Sequence, residues 1–344
     1  MAMNGNYFFK RVIKAALPYS IIKIYRKYKK GRSALITTLP TKVRLEATTL
    51  CQLRCTACSM FSNSFLGKDY LKIADFEKFI LNNRYVKEIE LSNKGEIFLN
   101  PDLFHIIKHA FENNVKLTAG NGVNFNSVSD EIIEALVKYQ FRFMSVSIDG
   151  ASQEIYSMYR VNGDFNTVIE NIKKLNACKK KYNSKFPMLK WQYVLMEHNE
   201  EDIVKAKELA KELDMEIAFK LTWEKSYVPK NREMLEKETG LKNLSREEVA
   251  VNEKKIYSHM CHQLWTQPQV NWDGRLLGCC GNVSEDFGIN VFEVGLKKAI
   301  NSKSYKHAKK MLKGKIGIPK KMNNLPCINC AKFKRMEKMG LYIK

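Results

Sequence analysis

The chain has 344 residues, 45% of them apolar, with 58 Lys+Arg against 36 Asp+Glu and a net charge of +22. That length holds one large domain and a small one, and that composition is ordinary for a globular core. No run approaches the roughly 18 apolar residues of a membrane span. Nine cysteines without a secretion signal point to a reducing, cytoplasmic setting and to metal ligation rather than disulfides. The basic excess is mostly lysine scattered through helical patterns, as on a solvated face; an acidic partner is the alternative reading. Nucleic acid is not expected, since no helix-turn-helix, zinc-finger or RNA-recognition signature accompanies the charge.

Residues 1–40 form a basic amphipathic segment. Tyr7, Phe8, Phe9, Val12, Ile13, Ala16 and Leu17 lie at helical spacing, and Ile21, Ile22, Ile24, Tyr25 and Tyr28 continue beyond Pro18. Eight basic residues between Lys10 and Lys30 interleave with them. Such a segment binds the inner face of a membrane peripherally or packs on the following domain. It is no signal peptide, because charge and Pro18 break the apolar run.

Residues 41–222 alternate. Strands are expected over Val43–Ala47, Val86–Ser92, Val115–Ala119, Phe141–Ile148, Leu189–Leu195 and Glu216–Leu221. Helical patterns lie between them near 75–82, 101–113, 129–139, 164–182 and 200–213. Six strands separated by helices, with no hairpin signal, predict parallel βα units. Residues 223–256 are charged, without a clear period, and read as a linker or a pair of connecting helices. Residues 257–344 carry an Asp273-Gly274 hairpin signal between Gln267–Val270 and Arg275–Leu277.

Cys51, Cys55 and Cys58 follow the first strand in a C-x3-C-x2-C spacing. A loop this short turns three thiolates toward one point. Structural zinc takes four ligands, whereas an iron–sulfur cube bound by three cysteines keeps one iron open. A three-cysteine zinc site or incidental core thiols are the alternatives. The spacing resembles the radical S-adenosylmethionine (SAM) superfamily. The resemblance implies a partial (β/α)6 TIM-like barrel and a 4Fe–4S cluster whose open iron chelates SAM. It also implies reductive cleavage to a 5′-deoxyadenosyl radical that abstracts hydrogen from substrate. In barrels of this kind chemistry sits at the C-terminal strand ends, where this loop lies.

Further motifs lie at those ends. Gly95 and Glu96 follow the second strand, where the family has Gly-Gly-Glu; Lys94 replaces the first glycine. The resemblance implies that Glu96 meets the SAM ammonium. Gly120-Asn121-Gly122 follows the third expected strand, where the family often has Thr-Asn-Gly; an ordinary turn is the alternative. Ser145, Ser147 and Asp149 share one face of the fourth. The run from Ser147 through Asp149 to Tyr159-Arg160 resembles the subgroup with a C-terminal cluster domain. There Ser147 would face the SAM ribose or methionine and Arg160 its carboxylate. Gln192, on the fifth strand, is a weaker pocket candidate.

Cys261, Cys279, Cys327 and Cys330 form a second constellation. The hairpin brings Cys261 and Cys279 together, and Cys327 and Cys330 make a C-x2-C turn after Pro326. Four thiolates close a shell, and spacing leaves zinc and iron–sulfur both open. The pattern resembles a shortened SPASM domain, which implies one auxiliary 4Fe–4S cluster. Cys178 reads as an ordinary thiol. Cys280 is a silent neighbour, an alternative ligand or a hydrogen-atom donor to a substrate radical.

Together these features imply a radical SAM enzyme of oxidoreductase or epimerase type. The expected substrate is a sugar, cyclitol or related small metabolite, phosphorylated or nucleotide-linked in some versions. Modification of a ribosomally made peptide or protein is the alternative. A reducing protein such as flavodoxin or ferredoxin is the expected electron donor. A cluster-bearing scaffold would leave the SAM-facing motifs without purpose.

Overall fold

From residue 42 to residue 221 strands and helices alternate without a hairpin. They run β1 (Lys42–Leu45), α1 (Ile73–Asn82), β2 (Glu88–Glu90), α2 (Leu103–Glu112), β3 (Lys116–Val123), α3 (Asp130–Lys138), β4 (Phe143–Ser147), α4 (Gln153–Tyr159), α5 (Phe165–Lys181), β5 (Met188–Leu195), α6 (Ile203–Glu212) and β6 (Glu216–Leu221). The structure is a computed structural model that describes residues 39–58, 65–222, 224–252, 260–317 and 325–343. Of the basic segment expected over residues 1–40, residues 1–38 lie outside the described residues.

Strands β1 to β6 pair in chain order, each parallel to the next. Parallel neighbours need a crossover, and the helices supply it. Local chemistry starts several of those helices. Ser129, Ser152 and Asp164 cap α3, α4 and α5 by accepting the backbone N–H of Ile132, Ile155 and Thr167. Helix α4 went unread in the sequence because seven residues carry too little period; its Ser152 cap was the available signal.

One element differs in kind from its expectation. Gly120, Asn121 and Gly122 do not follow a strand that ends at Ala119, nor form the alternative turn, but lie inside β3. The Glu90 carboxylate, on β2, accepts the Gly120 N–H with both oxygens at 2.8 and 2.9 Å. That grip holds the backbone extended, and β3 shifts register against β4 between Ala119 and Val123.

The sheet has two unlike faces. Val43, Leu45, Ile89, Leu117, Met144, Val146 and Trp191 alternate onto one, almost fully buried. Apolar helix residues such as Phe76, Phe79, Ile106 and Leu136 are buried with them. The in-between residues form the other face, and they are polar: Arg44, Glu46, Glu90, Ser145, Ser147 and Gln192 are all buried. Cross-strand bonds prove that they share a side. Arg44 Nε donates to Gln269 Oε1, Thr118 Oγ1 to Glu90 Oε2 and Gln192 Nε2 to Ser147 Oγ. Parallel sheets covered on both faces normally read as continuous apolar runs. Here the alternation marks a polar barrel interior.

After β6 come α7 (Arg232–Thr239) and α8 (Arg246–Asn252). The Asp-Gly turn then joins β7 (Gln269–Val270) to antiparallel β8 (Leu276–Gly278). β7 pairs in parallel with β1, so the hairpin covers what would otherwise be a bare edge of the sheet. Asn271 Nδ2 and Trp272 Nε1 both donate to the Leu66 carbonyl, tying the hairpin to the segment after the first cysteine loop. Helices α9 (Lys303–Leu312) and α10 (Ala331–Lys338) complete the cysteine-rich end. Among the described residues no helix is long and apolar enough to cross a membrane.

Candidate active site

Strand β1 delivers the first cysteine loop to the C-terminal edge of the sheet. The loop is pinned at its middle: Arg54 N donates to Val161 O at 2.9 Å and Thr56 N to Tyr159 O. Cys58 N closes back on Cys55 O at 3.0 Å. Gly95 supports its root. A Cβ there would stand 2.2 Å from the Thr48 carbonyl oxygen, so only glycine lets the β2 loop lie against it. Glu96 N then donates to Leu50 O at 2.8 Å.

Two of the three thiols meet N–H donors. Asn124 Nδ2 points at Cys51 Sγ from 3.8 Å, and Arg160 Nη1 at Cys55 Sγ from 3.6 Å. Burial pushes the Cys51 thiol up to about 11, and raises Cys55 despite the adjacent Arg160 guanidinium. Buried thiols this reluctant to ionise become thiolates when a cation binds them. Among the described residues no three His, Cys, Asp or Glu side chains close on one point as ligands of a single ion would. The thiols of Cys51, Cys55 and Cys58 therefore stand further apart than the single point that their spacing predicts.

Arg160 and Asp149 form a buried pair. Nε and Nη2 of Arg160 each lie 2.6 Å from Asp149 Oδ2. Asp149 Oδ1 accepts Val194 N from β5. Asp149 therefore joins α4 to the ends of β4 and β5. Glu96 is 2% exposed, and its carboxylate accepts the N–H groups of Phe98 and Asn124. Burial pushes it up to about 7. Asn121 lies across from Asn93, donating to its Oδ1 at 3.0 Å. Ser147 and Gln192 form one chain with Lys220, whose Nζ donates to Gln192 Oε1. Gly122, at φ +142°, leaves the room that Ser147 Oγ occupies; a Cβ would stand 2.4 Å away.

Sequence reasoning missed several of these groups. Glu46, 1% exposed, accepts Asn93 N and Lys94 N, and burial pushes it up to about 7. Glu90, Asn124 and Lys220 were missed too. Strand alternation sets Glu46 and Glu90 opposite the apolar positions of their own strands, yet a Glu in a short strand reads equally as an exposed edge.

The second constellation surrounds a cavity of about 200 Å³ lined by Cys261, Cys279, Cys327 and Cys330. Burial pushes Cys261 up to about 12 and Cys279 to about 11, with the neighbouring thiols adding to both. Cys280 is not part of that lining. Gln263 grips it instead: its Oε1 accepts Cys280 N at 2.7 Å and its Nε2 faces Cys280 Sγ at 3.3 Å. Cys178 stands apart on α5, beside Glu134 and Lys181.

Comparison with known proteins agrees with this geometry. Residues 45–215 match the model of the Radical SAM superfamily, and the chain belongs to that superfamily. An AdoMet-dependent heme synthase from Methanosarcina barkeri (strain Fusaro / DSM 804) is 28% identical over 180 residues, 52% of this chain. The match spans 49% of that relative, about half its length. Among solved structures, Streptococcus suis SuiB bound to S-adenosylmethionine superposes with a TM-score of 0.61 at 15% identity, over 95% of this chain and 82% of that one. The structure of anSMEcpe with bound AdoMet gives 0.54 at 14% identity, over 87% and 95%. The fold is therefore the superfamily's partial barrel with a cysteine-rich C-terminal region, and its cofactors are a 4Fe–4S cluster and SAM.

Proposed function

We propose that Cys51, Cys55 and Cys58 hold the SAM-binding cluster, and that the enzyme takes a hydrogen atom from a carbon of a sugar, cyclitol or similarly polar small metabolite, leading to oxidation or epimerisation. The observation that carries the substrate class is the polar barrel interior. Ser145, Ser147, Gln192 and Lys220 carry hydroxyl, amide and ammonium groups on that interior face, the last three bonded to one another. A substrate rich in hydroxyls can trade its water for further bonds to this chain; an apolar one would strip water from it and return no bond.

When bound, the clusters and SAM supply the electron, the carbon-centred radical and an acceptor for the substrate's second electron. The chain's own residues supply position. Arg160 and Asn124 direct N–H groups at two of the three sulfurs, which offsets thiolate charge. Glu96 is poised near neutrality, so an arriving ammonium would hold it ionised. Gly95, Asn121, Ser147 and Gln192 would complete the rim against which SAM lies, with the buried Asp149 holding Arg160 from behind. Cys261, Cys279, Cys327 and Cys330 would ligate a second 4Fe–4S cluster in a SPASM-like domain, and their shared cavity supports that reading.

The test is anaerobic reconstitution followed by screening of deuterated polyols, sugar phosphates and nucleotide sugars, reading deuterium in 5′-deoxyadenosine. Transfer from a polyol or sugar is expected. Transfer only from a peptide substrate would overturn the substrate class.

A further inference from the structure

The lysines of the C-terminal region are not scattered. Between residues 296 and 317 the chain carries eight lysines and no Asp or Glu, a large part of the net +22. Six belong to α9 and the turn after it. Lys303, Lys306, Lys310 and Lys315 are exposed, and Lys309 and Lys313 are half-buried. None of the six has a carboxylate in ion-pair distance among the described residues. The acids of the preceding loop are engaged elsewhere, Glu285 with Asn329 and Asp286 with Arg275.

Helix stability does not explain this pattern. Cations in a last helical turn suit the macrodipole, but Lys303 and Lys306 lie in the first turns, where they oppose it. Lys309 and Lys313 stand four apart, a repulsive spacing. Both ammoniums lie over the Trp265 ring, at 5.5 and 5.6 Å, which arranges them without neutralising them. Burial and its like-charged neighbours push Lys309 down to about 8.

The other side of the same helix faces the second cysteine group. Tyr305, Ala308, Met311 and Leu312 are buried, and Leu312 lines the cavity of Cys261, Cys279, Cys327 and Cys330. A helix with its side chains is roughly 10–12 Å across. A carrier docked on the lysines would be separated from the cysteine cavity by about that thickness.

We infer that the lysine face of α9 is the docking surface for an acidic one-electron carrier protein of the flavodoxin class, which reduces the enzyme through the C-terminal cluster. This rests on the reading that the four cysteines hold a cluster. The carrier gives up one electron and the enzyme gains one; no bond forms. Charge complementarity selects the partner, and the cavity behind the helix selects an electron carrier among acidic proteins.

The experiment compares the wild-type holoenzyme with Lys303→Glu/Lys306→Glu/Lys310→Glu and with the triple Gln variant. Binding of an acidic flavodoxin is measured by calorimetry at low and high salt, and 5′-deoxyadenosine formation is driven by reduced flavodoxin or by dithionite. We expect at least tenfold weaker binding in the Glu variant, a smaller loss in the Gln variant, and a wild-type affinity that falls with salt. Flavodoxin-driven turnover should fall with binding while dithionite-driven turnover holds. Equal flavodoxin binding by all three proteins overturns the proposal. So does binding to anionic phospholipid vesicles, but not to flavodoxin, that is lost in the Glu variant. Failure of dithionite to drive any wild-type SAM cleavage would instead sink the functional reading, and calorimetry would still decide the docking.

Discussion

Arg160 joins two parts of the site that are distant in sequence. Its Nε and Nη2 donate to Asp149 Oδ2 at 2.6 Å while its Nη1 reaches Cys55 Sγ, 105 positions earlier, at 3.6 Å. Asp149 has no exposed surface, so its charge depends on that guanidinium. Removing one partner of a buried pair strands the other. Arg160→Met should therefore destabilise the apoprotein by roughly 3–5 kcal/mol in urea unfolding. A loss under about 1 kcal/mol would mean that water or another group already screens Asp149.

Iron content tests the two cysteine groups. The reconstituted wild type should hold about eight irons and eight sulfides, the sum of two cubes. Cys51→Ala/Cys55→Ala/Cys58→Ala should hold about four and cleave no SAM. A wild type that stops at about four irons with one zinc would remove the auxiliary cluster.

Glu96 separates binding from folding. Its carboxylate accepts two backbone N–H groups, so Glu96→Ala costs stability as well as a partner for the SAM ammonium. Glu96→Gln keeps an acceptor for the backbone but loses the charge. We expect the Gln variant to keep its iron and bind SAM roughly 10- to 100-fold more weakly, consistent with a charged hydrogen bond of about 1.5–3 kcal/mol. Unchanged affinity by titration would reassign the ammonium site.

Glu46 should set a pH dependence. Its pKa is about 7 folded against 4.5 unfolded, so the folded state holds the proton more tightly. The stability this contributes is complete below pH 4.5 and is lost as pH rises to about 7. The full swing is on the order of 3 kcal/mol. Glu46→Gln keeps the acceptor for Asn93 N and Lys94 N without the charge. The variant should match the wild-type apoprotein near pH 4.5 and exceed it at pH 8 in thermal unfolding. Parallel curves at both pH values would show that Glu46 ionises freely.

Cys280 distinguishes oxidation from epimerisation. Epimerisation needs a hydrogen atom delivered to the opposite face of the substrate radical; oxidation does not. Gln263 holds both the backbone N–H and the sulfur of Cys280, outside the lining of the cysteine cavity. Cys280→Ala should keep both clusters and yield unchanged product without solvent deuterium at carbon. Loss of product, with wild-type product carrying one deuterium from deuterated water, would make Cys280 the donor.

Much of the architecture is local and was legible in the chain itself. The strand at Glu216–Leu221 was read to the residue, and the Asp273-Gly274 hairpin was read in place. Period, caps and turn residues act over a few positions, and the spacing of Cys51, Cys55 and Cys58 is local too. What a buried polar group touches is not local. Gly120-Asn121-Gly122 has turn composition, yet the carboxylate of Glu90, on the neighbouring strand, keeps it extended. Arg44 finds Gln269 at a separation of 225 residues, and Asn124 finds Cys51 at 73. Lys306 and Leu312 sit on one helix, but only the packed structure puts the cysteine cavity behind the lysines. Backbone geometry follows from near neighbours in sequence. The partner of a buried charge follows from which strands lie side by side, because inside a barrel it is held by whatever the sheet brings within about 3 Å.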